Sequence, residues 1–192
     1  MKRFIKIKTY ILLLAGVALS LPATAQQHYE LMGSQSLKVT GTSTLHDWEM
    51  VSEKSEGSAS ITLSGERIKE IASLSVSIPV NTLKSGKSGM DENAYKALKA
   101  KQHPNIHFEL TTAQVDDLTI FAGGRLTIAG TARPVEFKVN YLVSGKNIRF
   151  KGSLPVTFSQ FNMEPPTAVF GTIRTGNDLR ISFETIFKQS NN

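Results

Sequence analysis

Apolar and polar residues alternate along most of this chain, and the alternation limits the folds open to it. In the clearest run, Leu74, Val76 and Ile78 are separated by single serines. Successive side chains of a β-strand point to opposite faces, so a period of two indicates a strand with one buried face. The same period recurs in seven further segments, at 37–39, 61–63, 106–110, 126–128, 135–141, 154–158 and 179–183. We therefore expect roughly eight strands.

Short segments rich in Gly, Asn and Ser lie between several of these runs and are typical of turns. They are 123–124, 144–147 and 176–178. Strands joined by such short connections form an antiparallel sandwich or barrel. The interior of an eight-stranded barrel is either packed solid or holds one small ligand. Because the inward-facing side chains are mostly Phe, Leu, Ile and Val, a guest in that interior should be apolar.

One segment, 91–101, lacks the period of two and predicts a short helix. It is rich in alanine, and Asp91 is a residue type that caps helix N-termini. Pro104 disfavours continuation of the helix past residue 103. Tyr95 and Leu98 fall on one face, so the helix would lay an apolar stripe on the sheet or across one end of a barrel.

The first 25 residues have the pattern of a signal peptide. A basic start is followed by an apolar run from Tyr10 to Leu21, and Ala23-Thr24-Ala25 supplies the small residues of a cleavage site. The apolar run is shorter than the ~20 residues that cross a bilayer. We therefore expect cleavage after Ala25 and one mature domain, residues 26–192, that is long enough to bury a sizeable core.

Charge and cysteine content exclude several functions. The chain has a formal net charge of +6, but four of its 22 basic residues lie in the expected signal peptide, which leaves the mature chain with +2. This near balance removes the main support for nucleic-acid binding. The absence of cysteine excludes disulfides, a thiolate nucleophile, cysteine-based metal sites and a lipid-modified cysteine. We expect an exported protein without a stable membrane anchor, in the periplasm or, alternatively, secreted.

The segment 41–50 places Ser43, His46 and Asp47 close together beside Trp48, the one Trp of the chain. These are the residue types of a hydrolytic triad. Neighbouring side chains on a strand point to opposite faces, so His46 and Asp47 would not face one another in an extended segment. We therefore favour a structural role at one end of a barrel, with Trp48 as a plug or a wall, and predict no catalytic residue.

Two further motifs are incomplete. Gly86-Lys87-Ser88 ends like a phosphate-binding loop, but Asn81 stands where that motif has another Gly. His103 and His107 have the spacing of two helical zinc ligands, but Pro104 lies between them and no third ligand has a suitable spacing. We predict neither a nucleotide site nor a metal site.

The segment Phe158–Phe170 has no strand period and concentrates apolar side chains around Pro165-Pro166. Such a segment either closes a core or flanks the entrance to a ligand site. The sequence supports the two interpretations equally.

Four segments in order resemble the YceI-like family. They are GTSTLHDW (41–48), the block from Val80 to Leu110, GRLTIAGTARPVEF (124–137) and the closing segment from Phe161 to Glu184. The resemblance implies an all-β fold with one short helix, namely an antiparallel eight-stranded lipocalin-like β-barrel with the helix inserted near residues 91–101. It also implies export and the binding of polyisoprenoid or related lipids.

The chain departs from the family at one place. Many members carry an Arg-Asp pair before the helix, where this chain has Met90-Asp91. A contact from that Arg to a lipid head group is therefore absent.

The residues and the resemblance together predict an exported, non-catalytic barrel that binds or carries an amphiphilic isoprenoid-type lipid, either a polyisoprenoid or a quinone-like molecule. We expect no cofactor other than such a lipid and no nucleic-acid partner. The alternative is a periplasmic stress-response or interaction module with a solidly packed barrel. The sequence leaves the oligomeric state open, a homodimer included.

Strand phase selects the side chains that would face the interior and line a lipid pocket. A shift of one residue in register would turn a whole strand inside out, so the selection depends on the phase being right. The candidates are Trp48, Val76, Ile78, Leu83, Tyr95, Leu98, Phe108, Leu110, Leu126, Ile128, Phe137, Val139, Val156, Phe158, Phe161, Met163, Ile181 and Phe183.

Overall fold

The computed structural model describes residues 26–32 and 36–190, so the expected signal peptide, 1–25, lies outside the described residues. The described elements are β1 (Gln27–Leu31), β2 (Ser36–Ser43), β3 (Trp48–Ser52), β4 (Glu56–Ser64), β5 (Arg67–Pro79), α1 (Ser88–Ala97), β6 (Asn105–Asp116), β7 (Thr119–Ile128), β8 (Thr131–Ser144), β9 (Asn147–Thr157), β10 (Thr167–Ala168) and β11 (Ile173–Gln189). None of the helices in this part of the chain has the length and hydrophobicity that a membrane crossing requires.

Eight of the strands pair antiparallel in a closed ring. Their order is β1-β4-β5-β6-β7-β8-β9-β11, and β11 returns to β1 by pairing Gln189 with Tyr29 and Phe187 with Leu31. The prediction of an antiparallel eight-stranded barrel is confirmed, and the sandwich alternative is wrong. Closure pairs edges that in an open sheet would stay available to other chains.

Neither β1 nor β4 runs the full height of the barrel, so the wall is interrupted at these two strands. β2 continues along β11 where β1 stops, and it pairs with β3, for example Leu37 with Ser52. Two backbone hydrogen bonds of 2.8 and 2.9 Å between Val51 and Lys84 then link β3 to the segment after β5. We call the end of the barrel at which β2 and β3 lie the upper end. Its wall is formed by β2, β3 and the Val51–Lys84 bridge in place of β1 and β4.

The predicted alternating runs lie in β2, β4, β5, β6, β7, β8, β9 and β11, except that Phe158 falls just after β9. Their phase is also right, because Ile78, Leu126 and Val139 are all buried inside the ring. The alternation did not predict β1, β3 or β10, which are short.

Of the three expected turns, 144–147 connects β8 to β9, but 123–124 lies inside β7. That expectation is wrong for a physical reason. A Cβ at Gly124 would overlap the ring of Phe108 on the neighbouring strand. This Gly therefore permits a close side-chain approach instead of a turn.

The third expected turn, 176–178, is also wrong, since it lies inside β11. The pairing of β11 with β2 shifts between Thr175 and Leu179, so these residues form a bulge. A Cβ at Gly176 would overlap the Thr42 hydroxyl oxygen on β2, so this Gly permits a close approach within the bulge.

Helix α1 begins at Ser88, before the expected cap at Asp91, and its N-cap is Lys87, whose side chain makes no capping hydrogen bond. Asp91 instead lies in the first turn and is 7% exposed. Its carboxylate accepts hydrogen bonds from the backbone N–H and from the hydroxyl of Ser85, both 2.7 Å long. Asp91 therefore ties the helix to the preceding segment rather than capping it.

The helix also ends earlier than the expected residue 101, at Ala97. The backbone N–H of Ala100 bonds to the carbonyl of Tyr95, and Lys99 has a φ of 52°. This is a Schellman motif, which terminates a helix through one left-handed residue. Gly most often occupies this left-handed position, but here the residue is Lys99. The sequence therefore has no Gly that marks the end of the helix.

Asp91 makes the stability of the barrel depend on pH. Burial alone would raise the pKa of Asp91, but the hydrogen bonds from Ser85 and the nearby Lys84 ammonium outweigh it and hold the pKa below its usual value. We expect Asp91→Asn to lower the free energy of unfolding at neutral pH by about 1–3 kcal/mol. The native pKa is depressed, so this stabilisation is present above the unfolded pKa of ~3.9 and disappears as the pH falls through the native value.

Urea unfolding at neutral pH and at a series of lower pH values measures the effect, and the difference between the two proteins should shrink as the pH falls through the native pKa of Asp91. Glu92→Gln, at the exposed neighbouring position, is the matched control and should change little at any of these pH values. A difference between wild type and Asp91→Asn that persists undiminished in acid would contradict this account.

The ring of Trp48 lies against Gly41, its paired residue on β2. A Cβ at Gly41 would overlap ring atoms of Trp48. The indole N–H donates a 3.0 Å hydrogen bond to the carbonyl of Thr42. Trp48 is half-buried, so it forms a wall of the upper end and not a sealed plug.

Gly41→Ala should push the Trp48 ring away from β2, shift the Trp emission spectrum and lower stability by about 1–3 kcal/mol. Trp48 is the one Trp in the chain, so the emission reports on this ring alone. Gly89→Ala is the control, because an added Cβ there meets no atom within 4 Å. Unchanged emission in Gly41→Ala would show that the ring does not rest on this Gly.

Candidate ligand-binding site

A cavity of about 440 Å³ lies at the upper end of the barrel, and we call it the upper cavity. Strands β2 and β3 and the first part of β11 supply walls, while α1 and the segment 158–168 cover it. Small-molecule sites in proteins typically measure ~300–1,000 Å³. The upper cavity therefore has the size of a ligand site.

Most of the lining is apolar and comes from inward-facing strand residues. These include Val39, Met50, Ile106, Ile128, Val156, Leu179 and Ile181. The polar residues of the lining are Ser43, His46, Lys87, Asn93, Thr167 and Thr175. Of these, His46, Lys87 and Thr167 are exposed, so the cavity opens to solvent beside them.

Tyr95 holds α1 over the cavity. Its hydroxyl donates one shared hydrogen bond to two carbonyls, that of Leu83 at 2.7 Å and that of Asn81 at 3.0 Å. The Lys84 ammonium lies 5.2 Å from the centre of the Tyr95 ring, within range of a cation–π contact. The helix turns small side chains, Ala94 and Ala97, toward the cavity, which leaves the space beneath it open.

The segment from 158 to 170 does both things that its composition suggested. Phe158, Phe161 and Met163 are buried in the core around the cavity. Farther along, Pro166, Thr167 and Ala168 line the cavity, and Phe170 is fully exposed. The first half of the segment closes the core, and the second half flanks the opening.

The side chains of Ser43, His46 and Asp47 do not form a triad. The Ser43 hydroxyl donates to the carbonyl of His46 at 2.7 Å and accepts from the backbone N–H groups of Leu45 and His46 at 3.2 Å. Nδ1 of His46 lies 2.6 Å from the carbonyl oxygen of Asp47. Ser43 therefore stabilises the turn between β2 and β3, and the imidazole contacts backbone rather than the hydroxyl it would have to activate.

A second, smaller cavity of about 110 Å³ lies deeper in the barrel, and we call it the lower cavity. Apart from Thr185 its lining is apolar. Below it the interior is tightly packed around Tyr29, Ile61 and Ile148, each at most 1% exposed. The lumen is thus open at its upper end and filled at its lower end.

The predicted pocket residues fall into three groups. The upper cavity is lined by Trp48, Leu83, Leu98, Ile128, Val156, Phe158, Met163 and Ile181. The lower cavity is lined by Val76, Phe108, Leu110, Val139 and Phe183. The remaining five, Ile78, Tyr95, Leu126, Phe137 and Phe161, line neither cavity and pack in or against the core.

Sequence reasoning missed part of the lining. Val39 and Leu179 lie in phase with predicted strand residues, so the same alternation could have selected them. Leu45, Asn93 and Thr167 come from a turn, the helix and a loop, which tertiary folding brings to the opening. No local pattern marks such residues.

No group of three or more potential metal ligands occurs within residues 26–32 and 36–190. The ring of His103 packs against Gly130, whose φ is 80°. His107 is exposed on β6, where it pairs with Ser77 and Thr127. The two histidines thus have separate surroundings.

Solved structures with a similar fold come from several bacteria. BcnA of Burkholderia cenocepacia is 18% identical, with a TM-score of 0.65 over 79% of this chain and 95% of that chain. A polyisoprenoid binding domain of Saccharophagus degradans is 12% identical, with a TM-score of 0.66 over 84% and 98%. The YCEI protein of Campylobacter jejuni is 19% identical, with a TM-score of 0.57 over 72% and 85%. These similarities concern the fold.

Family membership follows from the sequence match. No curated protein matches the chain. The model of the YceI-like domain, in contrast, matches residues 21–187, which is most of the chain and includes all four segments that carried the resemblance. The chain therefore belongs to the YceI-like family.

Proposed function

We propose that this protein binds or carries an amphiphilic isoprenoid-type lipid, polyisoprenoid or quinone-like, in the upper cavity and that it is not an enzyme. The observation that carries the proposal is an apolar cavity of about 440 Å³ with polar residues exposed at its opening. Such a site suits a molecule with an apolar tail and a small polar head.

Burial of the tail would supply most of the affinity. Each buried CH₂ group contributes about 0.8 kcal/mol, so ten buried carbons contribute ~8 kcal/mol before other costs. Ordering a flexible tail and losing its free motion offset a good part of this. Few polar contacts are then needed to give useful affinity.

The residues at the opening supply hydrogen-bond donors to a head group that accepts hydrogen bonds. Lys87 and Asn93 supply N–H donors there, and Thr175 supplies a hydroxyl. Met90, at the position where many family members carry Arg, lines the cavity with an apolar side chain. One ammonium with amide and hydroxyl groups suits a hydroxyl or quinone oxygen.

The comparisons support this ligand class. One structure of the same fold is described as a polyisoprenoid binding domain. The alternative function, a stress-response or interaction module, requires a solidly packed barrel. The upper cavity argues against that alternative, because packed interiors rarely leave voids larger than a water molecule.

Filling the upper cavity should weaken binding. Ala94 faces the cavity from α1, so Ala94→Phe places a ring where the tail would lie. We expect the Kd for farnesol to rise at least about tenfold, as native mass spectrometry and Trp48 emission would measure. Ala132→Phe, at an exposed position on β8, is the matched control and should bind like wild type.

Thermal unfolding of both variants checks that they fold. Equal binding by Ala94→Phe and wild type would place the ligand elsewhere. If wild type neither binds farnesol nor co-purifies with a lipid, the proposed function is wrong.

Export belongs to the same proposal and is supported by the signal-peptide pattern of residues 1–25. In a Gram-negative host we expect the protein in the periplasmic fraction, with an intact mass that begins at Gln26. Replacing Leu12 and Leu13 in the apolar run by Arg should retain the full-length chain in the cytoplasm. A full-length chain in the periplasm would contradict the expected cleavage.

A further inference from the structure

The upper and lower cavities meet at one level of the barrel. On three strands the lining passes from the upper to the lower cavity within one two-residue step: Val39 to Leu37 on β2, Ile106 to Phe108 on β6, and Ile181 to Phe183 on β11. Inward-facing residues of a strand are two positions apart, so each step is a single layer. The two cavities are therefore lined by successive layers of inward-facing side chains, and the first layer of the lower cavity forms the boundary between them.

Three Phe rings occupy this layer: Phe108, Phe137 and Phe183, which we call the aromatic partition. The ring centres of Phe108 and Phe137 are 5.5 Å apart at 62°, and those of Phe137 and Phe183 are 5.8 Å apart at 82°. Both contacts are edge-to-face, the favoured aromatic arrangement. Phe137 is central, since it packs against the core clusters around both cavities.

Glycines on neighbouring strands make room for the two outer rings. A Cβ at Gly124 would overlap the ring of Phe108, and a Cβ at Gly152 would lie 2.7 Å from Cζ of Phe183. Larger residues at these two positions would push the rings toward the middle of the lumen. The partition therefore depends on complementary residues from four strands.

The rings of the partition are less tightly enclosed than the aromatic residues below them. Phe108, Phe137 and Phe183 are only partly buried, whereas Phe150 and Phe187 are 4% and 1% exposed. The lower cavity alone, at about 110 Å³, is smaller than the ~150 Å³ cavity that holds one benzene molecule in another protein. By itself it is therefore too small for an isoprenoid tail.

We propose that the aromatic partition sets the length of the isoprenoid tail that this protein accepts, which rests on the proposed lipid binding. The tail enters at the opening beside Lys87 and fills the upper cavity as far as the layer that holds the three partition rings. Carbons beyond that length stay outside the barrel and gain no burial. The lower cavity joins the site when the central ring is removed.

The test compares wild type with Phe137→Ala against geraniol, farnesol and geranylgeraniol by native mass spectrometry and calorimetry. Below the length limit each added CH₂ group should lower Kd about fourfold, and beyond the limit Kd should level off. For Phe137→Ala, Kd should continue to fall along the series. Geranylgeraniol should therefore bind Phe137→Ala at least about tenfold more tightly than it binds wild type. The shortest alcohol should bind both proteins similarly.

Phe150→Ala is the matched control, because it enlarges the lower cavity without opening the partition. It should keep the length limit of wild type. Where Phe137→Ala fails to fold in thermal unfolding, Phe137→Leu removes the ring at smaller cost and takes its place.

Three outcomes would overturn the proposal. The first is a wild-type affinity that rises across the whole series without levelling off. The second is the same length limit in wild type and the Phe137 variant, and the third is an equal shift in Phe150→Ala. If the alcohols bind in these cases, the proposed lipid binding still holds. If neither wild type nor any variant binds them, both the proposed lipid binding and the proposed length limit are wrong.

Discussion

Backbone pairing along β11 is the interaction on which the rest of the structure depends. Its 17 residues pair with β9 along one edge and with β2 and then β1 along the other. Because one continuous strand spans both partners, the ring closes even though the first strand of the barrel is interrupted. Closure also fixes the register, and register decides which side chains face the lumen. Leu179 and Ile181 thereby line the upper cavity, and Phe183 lines the lower one.

The two ends of the barrel differ because different elements complete them. At the lower end β1 and β4 bring Tyr29 and Ile61 into a dense core with Phe187. At the upper end α1 covers the lumen with small side chains and is held by polar contacts at its margins, from Asp91 to Ser85 and from Tyr95 to Leu83. A cover fixed at its margins leaves the space beneath it unfilled, so this fold can be stable and still contain a cavity.

Much of the fold could be predicted from the sequence, because strand alternation is a local signal. The alternating runs around Val76 and Phe108 predicted the strands and also which of their side chains face inward. Gly124 was misinterpreted, since a Gly that accepts a neighbouring ring looks like a turn Gly until its partner strand is known. The start of α1 was wrong because Asp91 bonds backward to Ser85, a contact with no sequence signature. The division of the lumen depends on three Phe rings from distant strands.

The bridge between Val51 and Lys84 has a consequence for motion. Two hydrogen bonds there join β3 to the segment after β5, whereas β7 and β8 are joined over ten residue pairs, Thr119 to Ile128. Opening the bridge breaks far fewer contacts than unfolding the barrel, and proteins open locally where contacts are few. The backbone amide of Val51, which bonds across the bridge, should therefore exchange with solvent deuterium faster than the amides of β7. The Val51–Lys84 contact is thus the part of the upper cavity wall that can separate at the lowest cost while the ring below it stays intact.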